Sequence, residues 1–274
     1  MKNRFQISHT KENYTKPVLF HSHDFFEIYF FLDGKVTYYI ENEVYTLEKG
    51  DVLVIPPGKL HRPVIEENVP YERCVLWLYS SFLLSCEGAE QMVEEITRMI
   101  SEKNIRRVHF DGENLRTMRG LFDKLLFDFE SGEPLARYTA EGCIALILGE
   151  IRENFRNMEK VDEQRGDVVR QVIAYLNENI ADAPSLEELA AQFFVSKYYL
   201  SHRFKEYTKT TIHQYILMKK INLAKELLEK GNPPQEVSVS CGFTTYANFY
   251  KAFTRLTGMT PRDYRRQWGQ GKVV

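Results

Sequence analysis

From residue 18 to residue 80 the chain is rich in β-branched and aromatic residues broken by turn signals. The stretches VLFHSHDFFEIYFFL, KVTYYIE, EVYTLEKG, DVLVIPP and ERCVLWLYSSF predict strands. Asp33-Gly34 marks a hairpin, and Lys49-Gly50-Asp51 and Pro57-Gly58 mark two further turns. Short strands so spaced predict a small sandwich or barrel. Near residue 88 the period becomes helical, through AEQMVEEITRMISEKN, NLRTMRGLFDKLLFDFES and RYTAEGCIALILGEIRENFRNM. The stripe of Ile144, Leu146, Ile147, Leu148 and Ile151 is too wide for a solitary surface helix and calls for a partner, either its own barrel or a second subunit.

The charged stretch NMEKVDEQRGD, residues 157 to 167, reads as a linker. Two domains are therefore expected: 1–160, a barrel to about residue 87 followed by helices over about 88–157, and 161–274, helical throughout. The fold class is α+β. The second domain contains a repeat, LAAQFFVSKYYLSHRFKEYTKTT from Leu189 and VSVSCGFTTYANFYKAFTRLTGMTP from Val237. Ala190 and Ser238, Val195 and Phe243, and Ser196 and Thr244 stand 48 apart; after one extra residue Leu200 and Phe249, and Phe204 and Phe253, stand 49 apart.

Each copy has the parts of a helix-turn-helix. In the first, a Ser185/Glu188 capping box starts a helix that buries Leu186, Leu189 and Ala190. The chain turns over Phe193 to Val195, and Ser196 caps a second helix anchored by Leu200 and Phe204. That leaves Lys197, Tyr198, Ser201, His202 and Lys205 facing outward. The second copy starts at Pro233-Pro234, buries Val237, Cys241 and Phe243, turns at Gly242 and is capped by Thr244, with Thr245, Tyr246, Ala247, Asn248, Tyr250 and Lys251 outward. Asn suits an adenine edge, lysines and hydroxyls suit guanine edges and phosphates, and the Ala247 methyl suits thymine. Apolar anchors opposite a polar face are what a major-groove helix requires. Between the copies HQYILMKKINLAKELLEKG predicts an amphipathic connecting helix.

Charge separates the two domains. The net charge of −2 hides 16 Lys and Arg against 10 Asp and Glu from residue 165 onward, and 20 against 28 before it. The second domain is the one suited to a polyanion. No apolar run is long enough to span a membrane and the polar N-terminus lacks a secretory pattern, so a cytoplasmic protein with no membrane partner is expected. Cys74, Cys86, Cys143 and Cys241 are widely spaced without a C-x-x-C pair and read as free thiols.

In the first domain His21, His23 and Glu27 share a strand parity, and His61 follows the Pro-Pro-Gly turn. Three imidazoles and a carboxylate suit Zn, Ni, Mn or Fe, and equally the lining of a small-molecule pocket. Tyr29, Phe31, Tyr38, Trp77 and Tyr79 alternate along the same strands and are candidates either for that lining or for core filling.

The segments SLEELAAQFFVSKYYLSHRFKEYT, KKINLAKELL, EVSVSCGF and ANFYKAFTRLTGMTPRDYR resemble the AraC/XylS family of bacterial transcription regulators over roughly 100 residues. The resemblance implies promoter DNA, a small effector such as a sugar or other metabolite, a homodimer and RNA polymerase as partners, an activator or a repressor as the mode of action, and DNA-facing positions at Tyr198, Ser201, His202, Tyr246, Ala247, Asn248, Tyr250 and Lys251. Lys209 stands where the family usually has a glycine, and Lys220 where it usually has arginine. His21-x-His23-x3-Glu27-x6-Gly34 with Gly50-x5-Pro56-x-Gly58-x2-His61 resembles both cupin motifs. Two functions follow: a non-enzymatic, effector-responsive regulator with a cupin-type sensor, or a metal-dependent cupin enzyme fused to a DNA-binding tail.

Overall fold

The computed structural model describes residues 4–13, 18–103, 106–133, 135–157, 168–208 and 210–268. The chain divides into two compact units, Met1–Gln164 and Arg165–Val274. The expected linker beyond Asn157 and the glycine-replacing Lys209 lie outside the described residues.

The first unit opens with β1 (Phe5–Asn13), β2 (Phe26–Asp33), β3 (Val36–Ile40), β4 (Glu43–Thr46), β5 (Asp51–Ile55), β6 (His61–Ile65) and β7 (Pro70–Leu78). Helices α1 (Ser80–Leu83) and α2 (Ala89–Lys103), strand β8 (Arg107–His109), and helices α3 (Gly112–Ser131) and α4 (Ala136–Asn157) follow. One sheet runs β1-β7-β2-β5-β8 and the other β4-β3-β6, with every pairing antiparallel. Between the sheets lies an aromatic interior built from Tyr29, Phe31, Tyr38, Tyr71 and Val75. The five-stranded sheet is covered on its other face as well: Ile28, Phe30, Val54 and Leu76 pack with Met118 and Phe122 of α3 and Ile144, Ile147 and Ile151 of α4. Burial on both faces explains why β2 and β5 read as continuous apolar runs.

The wide stripe on α4 thus finds its partner within its own unit: Ile144, Ile147, Leu148 and Ile151 are buried, while Leu146 stays exposed. Three elements depart from expectation. β1 precedes the first predicted strand; only Phe5 and Ile7 of the eight positions from Phe5 to Glu12 are buried, too few to show a period. β8 is a three-residue strand beside β5, inside a stretch expected to be helical. The first predicted strand, from residue 18, begins only at Phe26; His21 joins the sheet through a single bridge to His61.

The second unit contains α5 (Val168–Glu178), α6 (Leu186–Gln192), α7 (Lys197–Thr208), α8 (Ile212–Glu229), α9 (Pro234–Ser240), α10 (Tyr246–Thr257) and α11 (Pro261–Trp268). The connecting helix α8 starts with a Thr211/Gln214 capping box. Its Ile221, Ala224 and Leu228 pack against Val237, Phe249 and Phe253 of the second copy.

Candidate functional site

In the first helix-turn-helix, Ser185 and Glu188 form the expected reciprocal cap of α6. The turn then passes Phe194 in the left-handed region, at φ 55°. Ser196 Oγ accepts the Tyr199 amide at 3.1 Å at the start of α7. Leu200 and Phe204 are fully buried. In the second copy Gly242 takes φ 66° at the matching point, 48 residues on. Here the cap differs from expectation: Thr245, not Thr244, accepts the Asn248 amide, at 3.2 Å, and α10 begins at Tyr246. The second turn is therefore one residue longer. The inserted residue falls between Gly242 and the cap, so Ser196 matches Thr245, not Thr244, and Tyr199 matches Asn248.

Every predicted DNA-facing position is exposed: Ser196, Lys197, Tyr198, Ser201, His202 and Lys205 along α7, and Thr244, Thr245, Tyr246, Ala247, Asn248, Tyr250 and Lys251 at α10. Buried Leu200 and Phe204 in one helix, and Phe249 and Phe253 in the other, fix which faces turn outward. Lys197 is committed to Glu187 at 2.5 Å, while Tyr198 stacks on His202 with ring centroids 6.2 Å apart. Lys220 has a role that the sequence did not reveal. Its Nζ donates to the carbonyls of Ala181 at 3.1 Å and Gly242 at 2.7 Å, stapling the second turn to the loop after α5.

In the barrel, His23, Glu27 and His61 converge, each offering one ligand atom with all of them within 4.8 Å of one another. His21 stands outside this trio. It is exposed, with its ring 4.4 Å from that of His61, and its backbone bridges His61 ahead of the strand. In all three histidines Nδ1 faces a backbone carbonyl: Leu19 at 2.9 Å, Phe25 at 2.9 Å and Lys59 at 2.8 Å respectively. A carbonyl there holds a proton on Nδ1; at His61 this leaves Nε2 as a bare donor atom, while at His23 the Nε2 meets the Glu27 carboxylate. His61 Nε2 is buried with no hydrogen-bond partner. Burial pushes the His61 imidazole down to about 4, so it is uncharged at neutral pH. Burial alone would raise the Glu27 carboxyl, but His23, His61 and Trp77 together bring it down to about 2. The carboxylate accepts from Trp77 Nε1 at 2.8 Å and Tyr38 Oη at 3.4 Å, and lies 3.1 Å from His23 Nε2.

The aromatic candidates divide. Tyr29 and Tyr38 are fully buried core, Phe31 fills the same interior, Trp77 reaches Glu27, and Tyr79 lies at the rim with its ring 5.2 Å from Phe25. Two polar residues of this interior were not singled out from sequence: Tyr71, whose Oη lies 2.6 Å from Tyr29 Oη, and Arg73, whose Nη1 donates to Tyr71 Oη at 2.6 Å. The signal was available, since both share the strand parity of Trp77.

A family model described as an AraC-like ligand binding domain matches residues 9–134, and a helix-turn-helix domain model matches residues 189–267. An uncharacterized HTH-type transcriptional regulator, YdiP, of Escherichia coli K12 is 26% identical over 250 residues, 88% of this chain and 78% of that protein. The melibiose operon regulatory protein of the same organism is 22% identical, covering 90% of this chain and 83% of its own. The HTH-type transcriptional activator RhaS of Escherichia fergusonii is 24% identical, covering 90% and 87%. Two are named as transcriptional regulators and the third as an operon regulatory protein, and their alignments span both units. Among the described residues no helix is long and apolar enough to cross a membrane. The chain belongs to the AraC/XylS family of DNA-binding transcription regulators, with a ligand-binding domain ahead of its helix-turn-helix domain.

Proposed function

We propose that the chain is an effector-responsive activator that works in the cytoplasm as a homodimer. A small metabolite enters the barrel, and α7 and α10 read successive major grooves of a promoter, with RNA polymerase as the further partner. The observation that carries this reading is the uniform exposure of the predicted contact faces on two helices whose opposite sides are fully buried. The connecting helix α8, with 18 residues, is about 27 Å long, comparable with the ~34 Å between successive grooves. Activation follows the relative named as an activator, and a sugar or sugar-like effector follows the relative named for the melibiose operon. The homodimer is supported by α4, where exposed Tyr138 and Leu146, with Leu135 just ahead of the helix, flank Gly142 and Ala145, small residues that let helices approach closely.

Selection of bound sequences from a random DNA pool tests the reading. Wild type should enrich a two-part motif whose affinity falls steeply with salt. Asn248→Ala should relax one position of one half, and His202→Ala one position of the other. A salt-independent interaction, or an unchanged motif in both variants, would overturn the placement of the reading helices.

A second reading concerns the barrel. His23, Glu27 and His61 would hold a divalent transition metal such as Zn, Ni, Mn or Fe. The residues fit: two imidazoles with carbonyl-fixed tautomers, a carboxylate and an orphaned buried Nε2 form a suitable donor set. Bound there, the ion would supply a Lewis-acidic anchor for an effector oxygen, and the chain's own residues would orient that effector. Elemental analysis of wild type beside His61→Ala decides it: metal near one per chain, lost in the variant, supports the site, and metal-free wild type removes it.

A further inference from the structure

The barrel interior holds a cation without a counter-charge. Arg73 projects inward from β7 opposite Phe31 of β2. Its guanidinium lies 5.8 Å from the Tyr29 ring centroid and 5.2 Å from that of Tyr71. Nη1 is committed to the Tyr71 hydroxyl, which meets the Tyr29 hydroxyl in turn. Its Nε is buried and has no hydrogen-bond partner. Among the described residues no carboxylate lies within ion-pair distance of Arg73. Three other guanidiniums of this unit have a carboxylate partner: Arg106 faces Glu43 at 3.2 Å, Arg152 faces Glu95 at 2.6 Å, and Arg4 pairs with Glu141.

A desolvated cation is costly unless it is paired. Aromatic faces and one phenol offset part of that cost, but they leave open the Nε edge, the side of the planar fork that engages carboxylates in two parallel hydrogen bonds. Arg73 is partly exposed as a residue while its Nε is buried, so an acid group reaches that edge only as the side chains covering it move aside. Glu27 pairs with Trp77, four residues along β7 from Arg73, which separates this point from the histidine cluster by about 13 Å. Tyr38, whose hydroxyl lies 3.4 Å from Glu27 and whose ring lies 4.8 Å from that of Tyr29, stands between the two points.

We propose that Arg73 is the specificity-determining residue of the effector pocket and that it selects small molecules bearing a carboxylate, with the acid group on its Nε edge and the remainder directed toward Tyr29 and Tyr38. The inference rests on the proposed effector pocket and adds the ligand's charge to it.

The test is a thermal-shift series on the full chain with matched pairs, glucuronate against glucose and galacturonate against galactose, repeated with inorganic phosphate and with Arg73→Gln and Arg73→Lys. A ligand that binds the folded state alone raises its melting temperature. An acid should bind at least about tenfold more tightly than its neutral partner, and Arg73→Gln should remove that margin while Arg73→Lys keeps part of it. Stabilisation by phosphate equal to that by the acids overturns the choice of carboxylate. Neutral sugars binding as well as their acids, or acids binding Arg73→Gln undiminished, overturns the inference and leaves the effector pocket standing. No stabilisation by any member overturns the inference together with the sugar-like effector. The wild-type contrast needs no variant, so a misfolded Arg73→Gln does not spare the proposal.

Discussion

Phe194 and Gly242 occupy equivalent points of the two turns, and substitutions there should have opposite signs. Phe194 holds φ 55° and its side chain is 94% exposed, so it has the cost of a left-handed residue without the benefit of burial. That conformation costs a non-glycine residue about 1–2 kcal/mol. Glycine removes this cost but loses about 0.5–1 kcal/mol to its freer unfolded chain. Phe194→Gly should therefore stabilise the DNA-binding unit by about 0.5–1 kcal/mol, a rise of a few degrees in melting temperature. Gly242 has φ 66°, but a Cβ there would overlap the Ala181 carbonyl oxygen, lie 2.8 Å from the Ala181 carbonyl carbon and crowd Lys220 Nζ at 2.9 Å. Neither backbone nor staple can retreat without loss of the bonds from Lys220. Gly242→Ala should cost about 2–3 kcal/mol or more. Hydrogen exchange of amides in α7 and α10 reads the two turns separately, and thermal unfolding of the full chain reads the sum. If Phe194→Gly destabilises, or if both variants lose equally, the conformational argument fails. A stabilised Phe194→Gly that binds DNA more weakly would show that the exposed ring is retained for a contact.

Three further outcomes follow from the same geometry. Lys220→Met strands the carbonyls of Ala181 and Gly242 and should cost about 1–3 kcal/mol in unfolding experiments, with Lys220→Arg milder; a neutral Lys220→Met would show that the staple is idle. Burial raises the carboxyls of Glu72, Asp128 and Glu141, but His9 and Lys11, Lys124 and Thr139, and Arg137 and Arg4 respectively pull each below its ordinary range. Lowered folded-state values give stability that is present above the unfolded values and lost as pH falls through the folded ones; Glu141→Gln should therefore lose less stability than wild type between about pH 5 and about pH 3, and an equal or larger loss would refute the linkage. Leu146→Glu, on the exposed side of α4, should turn a dimer into a monomer by analytical ultracentrifugation without lowering the melting temperature of the monomeric unit, whereas a monomeric wild type would remove the dimer from the proposed function.

The parts that the sequence revealed are those in which one side chain carries one periodic duty. Leu200 and Phe204, or Phe249 and Phe253, recur four apart and must face inward, which fixed the outward faces without knowledge of the turn. The cap was misplaced by one residue because Thr244 and Thr245 are chemically interchangeable at that point; only the longer second turn tells them apart. The metal quartet lost His21 for a related reason. Parity holds only within a strand, and β2 begins after both His21 and His23; His23 still reaches Glu27 because the preceding loop returns it there. β1 and β8 escaped detection because each is an edge of the five-stranded sheet with few buried positions. Arg73 and Tyr71 share the interior parity of Trp77, but parity marks only the side a residue faces and carries no signal of the polar contact between a phenol and a guanidinium.

That same alternation supplies a route from the barrel to the helices. Along β2, Tyr29 and Phe31 face the interior, while Ile28, Phe30 and Leu32 face α3 and α4. Phe30 packs on Phe122 of α3 with ring centroids 5.0 Å apart. An effector changes DNA affinity only by binding two arrangements of the protein unequally. A solute seated among Tyr29, Tyr71 and Arg73 bears on the inner face of β2, and a close-packed sheet with no slack on either face passes a displacement to its outer side chains. Phe122→Leu, which keeps the core apolar but removes the ring, should leave effector affinity within about twofold of wild type while reducing the effector's influence on DNA binding. Fluorescence titration of labelled promoter with and without effector reads both quantities. Unaltered coupling in that variant would mean that the signal leaves the barrel by another face.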